Sequence, residues 1–281
     1  MGNGTTADGA IGSGDIYNSG ALVFNSASFQ SVDALIHGSG SITKRGPGVT
    51  LLSGNSDFSV AVTNEAGTLM LGNGNALGDT TYGTTINSGA SLDLGGHSIG
   101  TEPVVASGAG VNGAGAIINS GSIGGGMQAL TLVGPTTFGG SSSWVIGAEP
   151  TIPGLQANGN KVTKVGTSLV EYSNGDNSSI ADPGFGDIEI KSGTFMFYGY
   201  VGCGDPAKTI TVRTNATLEV DNTGDSLTYK PIVMDAGATL YSSLPNRLMP
   251  QYATVPGPIA VGGAVTFSSG VERSRCAGRT I

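Results

Sequence analysis

The sequence predicts an all-β chain wound as a single-stranded parallel β-helix of about 22 residues per turn. Three observations point there. Short apolar alternations recur, introduced by Gly or by Asn-x-Gly, as in A-V-T-N-E-A-G-T-L-M-L and T-T-I-N-S-G-A-S-L-D-L. Their anchors are evenly placed, with Gly67 to Gly89, Gly193 to Asn215 and Asn215 to Gly237 each 22 positions apart. Helical periodicity, apolar residues at i, i+3, i+4 and i+7, is nearly absent. Asn replaces Gly once, and Asn is the other residue that tolerates the left-handed conformation. A leucine-rich repeat shares the period but requires L-x-x-L-x-L-x-x-N, which this chain lacks.

Taken in order, the first candidate rung is 15–25, where Ile16 and Leu22-Val23-Phe24 flank the turn signal Asn18-Ser19-Gly20. Residues 32–36 read as another short strand. The central stretch 41–99 follows. A unit then recurs: an apolar or β-branched pair, two or three turn residues, Gly, and an alternating strand rich in residues that suit a pleated surface. It appears at 62–71, 86–94, 188–197, 210–220, 232–241 and 259–267. Roughly a dozen turns stacked about 4.8 Å apart make a rod of about 60 Å. The middle is less regular, with 114–123 (A-G-A-I-I-N-S-G-S-I) the one clear rung of a glycine-rich segment. Pro cannot donate to a ladder, so Pro150 and Pro153 mark 147–159 as a loop leaving the rod. Residues 181–186 and 244–258 are further loop candidates.

Composition sets limits on function. The 281 residues include 49 Gly, 11% are charged, and mean hydropathy is +0.10. That is too apolar for a solvated disordered tail and long enough to bury a sizeable core. The net charge of −8 argues against nucleic acid or an anionic membrane surface as partner. Moreover, Arg273, Arg275 and Arg279 crowd the last nine positions, leaving the rest more acidic still. Cys203 and Cys276 are 73 positions apart, with no Cys/His cluster to suggest zinc. No signal peptide opens the chain and no apolar run reaches 18 residues, so this segment is not expected to insert in a membrane, and export would rely on a signal outside it.

The rungs resemble the autotransporter-associated β-strand repeat of bacterial passenger domains, roughly G-x-G-x-L-T-K-x-G-x-G-T-L-T-L-S-G-x-N. Residues 38–55, G-S-G-S-I-T-K-R-G-P-G-V-T-L-L-S-G-N, follow it closely, and 66–73, 76–78 and 88–96 look like its continuation. A degraded copy begins at Val162-Thr163-Lys164, with Lys164 120 positions after Lys44. The best-defined repeats are therefore 38–99 and 161–241. The resemblance implies a right-handed parallel β-helix over 1–270, export, and display at the bacterial cell surface as an adhesive or structural scaffold. Host or environmental surface glycans or proteins are the expected partners. Two features depart from a complete family member: no outer-membrane barrel follows, and 271–281 becomes an irregular basic tail.

No catalytic, cofactor-binding or metal residue is assigned, and no cofactor is expected. The alternative is a carbohydrate-active β-helix enzyme, a polysaccharide lyase or pectinase-like hydrolase, which needs at least two carboxylates converging on one cleft. Glu189, Glu219 and Asp235 differ in rung phase and read as isolated surface charges. Asp182, Asp187 and Asp205 lie near loops without a calcium-loop pattern. His37 and His97 are the only histidines, His97 in a surface turn. Lys44 and Lys164 are expected at equivalent bends in a structural role. Gly124-Gly125-Gly126 reads as a turn. Phe195, Phe197, Tyr198 and Tyr200 could stack on sugars but alternate as core columns do.

Overall fold

A computed structural model describes residues 3–5, 11, 14–122, 124–147, 154–174, 182–199, 201–221, 230–242, 258–269 and 279–280. Strands dominate, and the one helical element among them is a 3-10 turn at Val111–Gly113. Strands pair in parallel with strands a turn away, with one antiparallel exception at the end, which makes a parallel β-solenoid with three faces.

Face one runs through Ala21–Asn25, Ser41–Arg45, Val62–Asn64, Thr84–Ile86, Val104–Gly108, the first half of Ala129–Gly140, and Gly154–Gln156. Face two carries the longest ladder, eleven strands from Phe29–Val32 to Ile259–Val261. Face three begins with Ile16–Asn18 on Ile36–Gly38 and continues through irregular backbone, as in Asp57 N–H to Ile36 O and Asp79 N–H to Phe58 O. It becomes regular from Gly125–Met127 through Trp144–Gly147, Leu169–Ser173, Gly193–Tyr198, Ala216–Asp221 and Thr239–Ser242 to Thr266–Ser269. There Arg279–Thr280 adds the single antiparallel pairing.

The recurrent unit is a strand, a corner and a strand, and each predicted copy forms one. The two halves set it differently. The copies at 62–71 and 86–94 occupy faces one and two, whereas those at 188–197, 210–220, 232–241 and 259–267 occupy faces two and three. The change happens where Ala129–Gly140 bends through Gly134-Pro135 and serves two faces in succession.

Alternation sends one row of side chains inward. On face two, Leu69, Leu92, Ile117, Phe138, Lys164, Ile190, Val212 and Met234 stack in direct register, all buried. On face three, Trp144, Val170, Phe195, Leu218 and Leu240 do the same. One outward row of face three is polar and small, Thr194, Thr217, Thr239 and Thr266, and the row beside it is mixed, with Val145, Glu171, Glu219 and Tyr241.

The expected step of about 22 residues is borne out: it is 22 in places (Ile188 to Ile210 to Ile232), and single steps range from 19 (Thr50 to Leu69) to 28 (Gly108 to Thr136) because extra residues collect between strands. Three other expectations change. Gly193 registers with Ala216, one residue past Asn215. Eleven strands make a ladder of about 48 Å, shorter than the rod expected when every residue is counted into a rung. Gly125 and Gly126 are strand, not turn, because they pair in register with Trp144 and Val145; glycine suits the place, since a side chain at Gly125 would come within 2.8 Å of the His97 carbonyl.

The loop readings also shift. Of 147–159, residues 148–153 lie outside the described residues, and Gly154–Gln156 rejoins face one. Residues 182–186 stay on the rod: Ala157 and Gly159 donate to the carbonyls of Pro183 and Gly184 at 2.6 and 2.7 Å, and Phe185 is buried. Its apolar ring is better satisfied inside than a Pro-Gly reading of the segment implies. Residues 244–257, Tyr200 and Cys276 lie outside the described residues.

Candidate functional site

The chemistry-bearing side chains concentrate at the corners. In I-T-K and V-T-K, Thr faces out, so alternation turns Lys44 and Lys164 inward with Ile42 and Val162. Both lysines are fully buried. Lys44 Nζ donates to the carbonyls of Arg45, Gly46 and Ala66 at 2.8, 2.9 and 2.9 Å. Lys164 Nζ donates to those of Val165, Gly166 and Ser192 at 2.8, 3.2 and 3.2 Å. An ammonium has three donors and each is used, which offsets the cost of removing the charge from water. Burial still pushes Lys164 down to about 8, so it remains mostly protonated at neutral pH.

Asn fills the same place on other rungs. Asn18 Nδ2 donates to Gly40 O at 2.7 Å, Asn64 Nδ2 to Ser91 O at 2.8 Å, and Asn119 Nδ2 to Ser143 O at 2.9 Å. The shared pattern is an apolar residue, any residue, then Asn or Lys, closing a strand and tying its corner to the next rung. Lys230 is a further buried ammonium, bonded to the carbonyls of Phe185 and Cys203 at 3.1 and 2.7 Å; burial lowers its pKa, while nearby carboxylates oppose that. Its role is not legible locally, since its partners lie 45 and 27 positions away.

Glu189 is not an isolated surface charge. It accepts from Lys161 Nζ and Arg213 Nη2, both at 2.7 Å, and Arg213 reaches Asp235 at 3.4 Å. Hydrogen bonding from Lys161 leads the effects that pull Glu189 down to about 2. The network joins four rungs of face two, so Glu189 and Asp235 meet through Arg213 despite their different phases. Glu219 lies on face three between Met196 and Tyr241 and does not join them. Asp182, Asp187 and Asp205 each accept a backbone N–H at 2.9 Å, from Gly184, Thr209 and Ala207. Among the described residues, no three His, Cys, Asp or Glu converge as metal ligands.

His37 stacks on Tyr17 with ring centroids 4.9 Å apart. Its Nδ1 lies 2.6 Å from Asp57 and its Nε2 3.8 Å from Asp15, so both nitrogens face carboxylates and neither faces a nucleophile. His97 sits half-buried in a turn closed by its own N–H to Leu94 O. Phe195 and Phe197 are buried and pack edge-to-face with Phe185 at 6.1 and 5.9 Å, so they are core. Tyr198 beside them is half-buried on the outer row. Cys203 is buried.

Among the described residues, three buried acids were not singled out in the sequence, Asp93, Glu102 and Asp221. Glu102 is 2% exposed, and its Oε1 accepts from Thr84 Oγ1 at 2.8 Å. Thr84 N–H donates to Pro103 O at 2.7 Å, so the segment 102–103 is bound to the preceding rung twice.

Against known proteins, the chain is 39% identical over 79 residues to "Adhesin BmaC autotransporter" of Brucella suis biovar 1 (strain 1330). The aligned region covers 28% of this chain and 2% of that protein. No family model matches the chain, and no solved structure matches it.

Proposed function

We propose that this chain is a passenger segment of an autotransporter-like protein, a structural or adhesive rod held outside the cell. The observation that carries the reading is a parallel solenoid built in both halves from one strand–corner–strand repeat, joined to partial similarity with an autotransporter adhesin. The arrangement of charge supports it. Buried lysines and asparagines spend their donors on backbone carbonyls, and Glu189 spends its carboxylate on Lys161 and Arg213. Groups committed in this way hold a coil together and are poorly placed to act on a substrate. Its partners are surface glycans or proteins of a host or environment, met along the outward rows.

The test is display and binding. The chain is placed between a signal peptide and an autotransporter barrel and expressed in a Gram-negative host. Protease added to intact cells should remove it, and displaying cells should adhere to glycan- or protein-coated surfaces more than cells with an empty barrel. Failure to reach the surface, or adhesion no better than the control, overturns the reading. Release of reducing ends or unsaturated products from pectin-like polysaccharides would replace it with the enzyme alternative.

A further inference from the structure

Among the described residues, Glu102 is a buried acid held by a single side-chain hydrogen bond. Its Oε1 has Thr84, but its Oε2 is buried with no hydrogen-bond partner. It lies where the irregular backbone of face three enters face one. There Thr84 N–H bonds Pro103 O, Val62 N–H bonds Gly83 O, and a side chain at Gly83 would come within 2.6 Å of Pro103 O. Three successive rungs approach closely at this corner. The charged group that bears on Glu102 is Asp79, which is exposed and whose negative charge opposes ionisation; Thr84 contributes the one stabilising hydrogen bond.

We infer that Glu102 is a pH-sensitive latch: neutral, it closes the corner joining the rungs at 62, 84 and 104, and ionised, it loosens them. A neutral carboxyl leaves at most one weakly polar atom unpaired. A carboxylate leaves a charge in a water-excluded corner with one donor, which is far more costly. Burial is the main influence on the group, raising it from 4.5 to about 7. The sign follows: stability from the neutral form is fully present below 4.5 and is lost as pH rises through 7. The rod is therefore firmer in mildly acidic surroundings than in alkaline ones, and the change is local to this corner.

Urea unfolding of the whole chain between pH 5 and 8.5, with Glu102→Gln beside the wild type, tests this. The wild-type midpoint should fall relative to the variant as pH rises from 5 to about 7, and the difference between the two should level off above that. A difference that stays flat across the range overturns the proposal. If Glu102→Gln does not fold, carboxyl NMR of the intact wild type takes its place, with a conservative Glu102→Asp variant to assign the signal. A Glu102 carboxyl titrating near 7 supports the latch, and one titrating near 4.5 overturns it. Amide exchange corrected for intrinsic rates adds a spatial test: protection over 79–104 should fall with pH more than protection over 188–220, and an equal fall in both counts against a local latch.

Discussion

At the scale of single residues, the corner ammoniums explain why a mostly apolar coil keeps Lys inside. Each closes a bend where the backbone turns three carbonyls toward one point. Replacing Lys164 with Met fills the space but abandons those acceptors. The loss should be about 3 kcal/mol, read from chemical denaturation, since unsatisfied buried polar groups cost about 1–3 kcal/mol each. Little change would mean that water enters the corner. Glycines complete the same cradles. Gly67 and Gly193 have φ of +70 and +68, and a side chain at either would come within 2.7 Å of the Nζ of Lys44 or Lys164. Gly193→Ala should therefore cost at least about 1–3 kcal/mol through backbone strain alone. The combined change with Lys164→Met should be less than additive, because both open one cradle.

Phe185 carries the core at a point where the strand pattern lapses. It meets Tyr172, Phe195 and Phe197 edge-to-face. Phe185→Ala should cost about 3–5 kcal/mol, as buried aromatic truncations do. A value near zero in thermal or urea unfolding would show that 182–186 does not belong to the folded rod.

At the scale of elements, the unit to consider is the four-rung ion network on face two. Glu189 is held well below its ordinary range, so its contribution is present above 4.5 and is lost as pH falls toward 2. Lys161 and Arg213 are half-exposed, and solvent screening holds each pair to about 1 kcal/mol or less. Acid unfolding of Glu189→Gln should lack the wild type's loss of stability between those pH values. Parallel acid curves would assign that loss to other carboxylates.

The elements also show how much could be read in advance. The repeat was legible because period-two alternation and small corner residues are local signals, and each predicted copy became a strand–corner–strand. Lys44 and Lys164 were legible as equivalent bends, and the alternation of I-T-K already turned them inward. Glu189 was misjudged because phase along one strand does not reveal that Arg213 can bridge from the next rung. Glu102 and Lys230 left no signal, because their surroundings are assembled from segments distant in the sequence. The segment 182–186 looked like a loop because Pro and Gly mark irregular backbone, and irregular backbone can still stack.

At the scale of the whole molecule, each rung touches mainly its neighbours, so stability is roughly a sum of rung and interface terms. The opposing pH responses of Glu102 and Glu189 should then leave separate signatures, one in the first half of the coil and one in the second. Residue-resolved exchange can distinguish them, and a single global response at both extremes would mean that the coil behaves as one cooperative block.

The slip of the repeat by one face between the halves has a consequence for how such a coil diversifies. Among the described residues, irregular backbone lies on face three before the slip and on face one after it, as at 182–187 and 202–209. Lengthening the chain by one extra strand thus works like a dial, re-aiming every later decoration by a third of a revolution while leaving the hydrogen-bonded staircase intact. Selection could reorient what the distal part presents to its surroundings without redesigning a single core contact there.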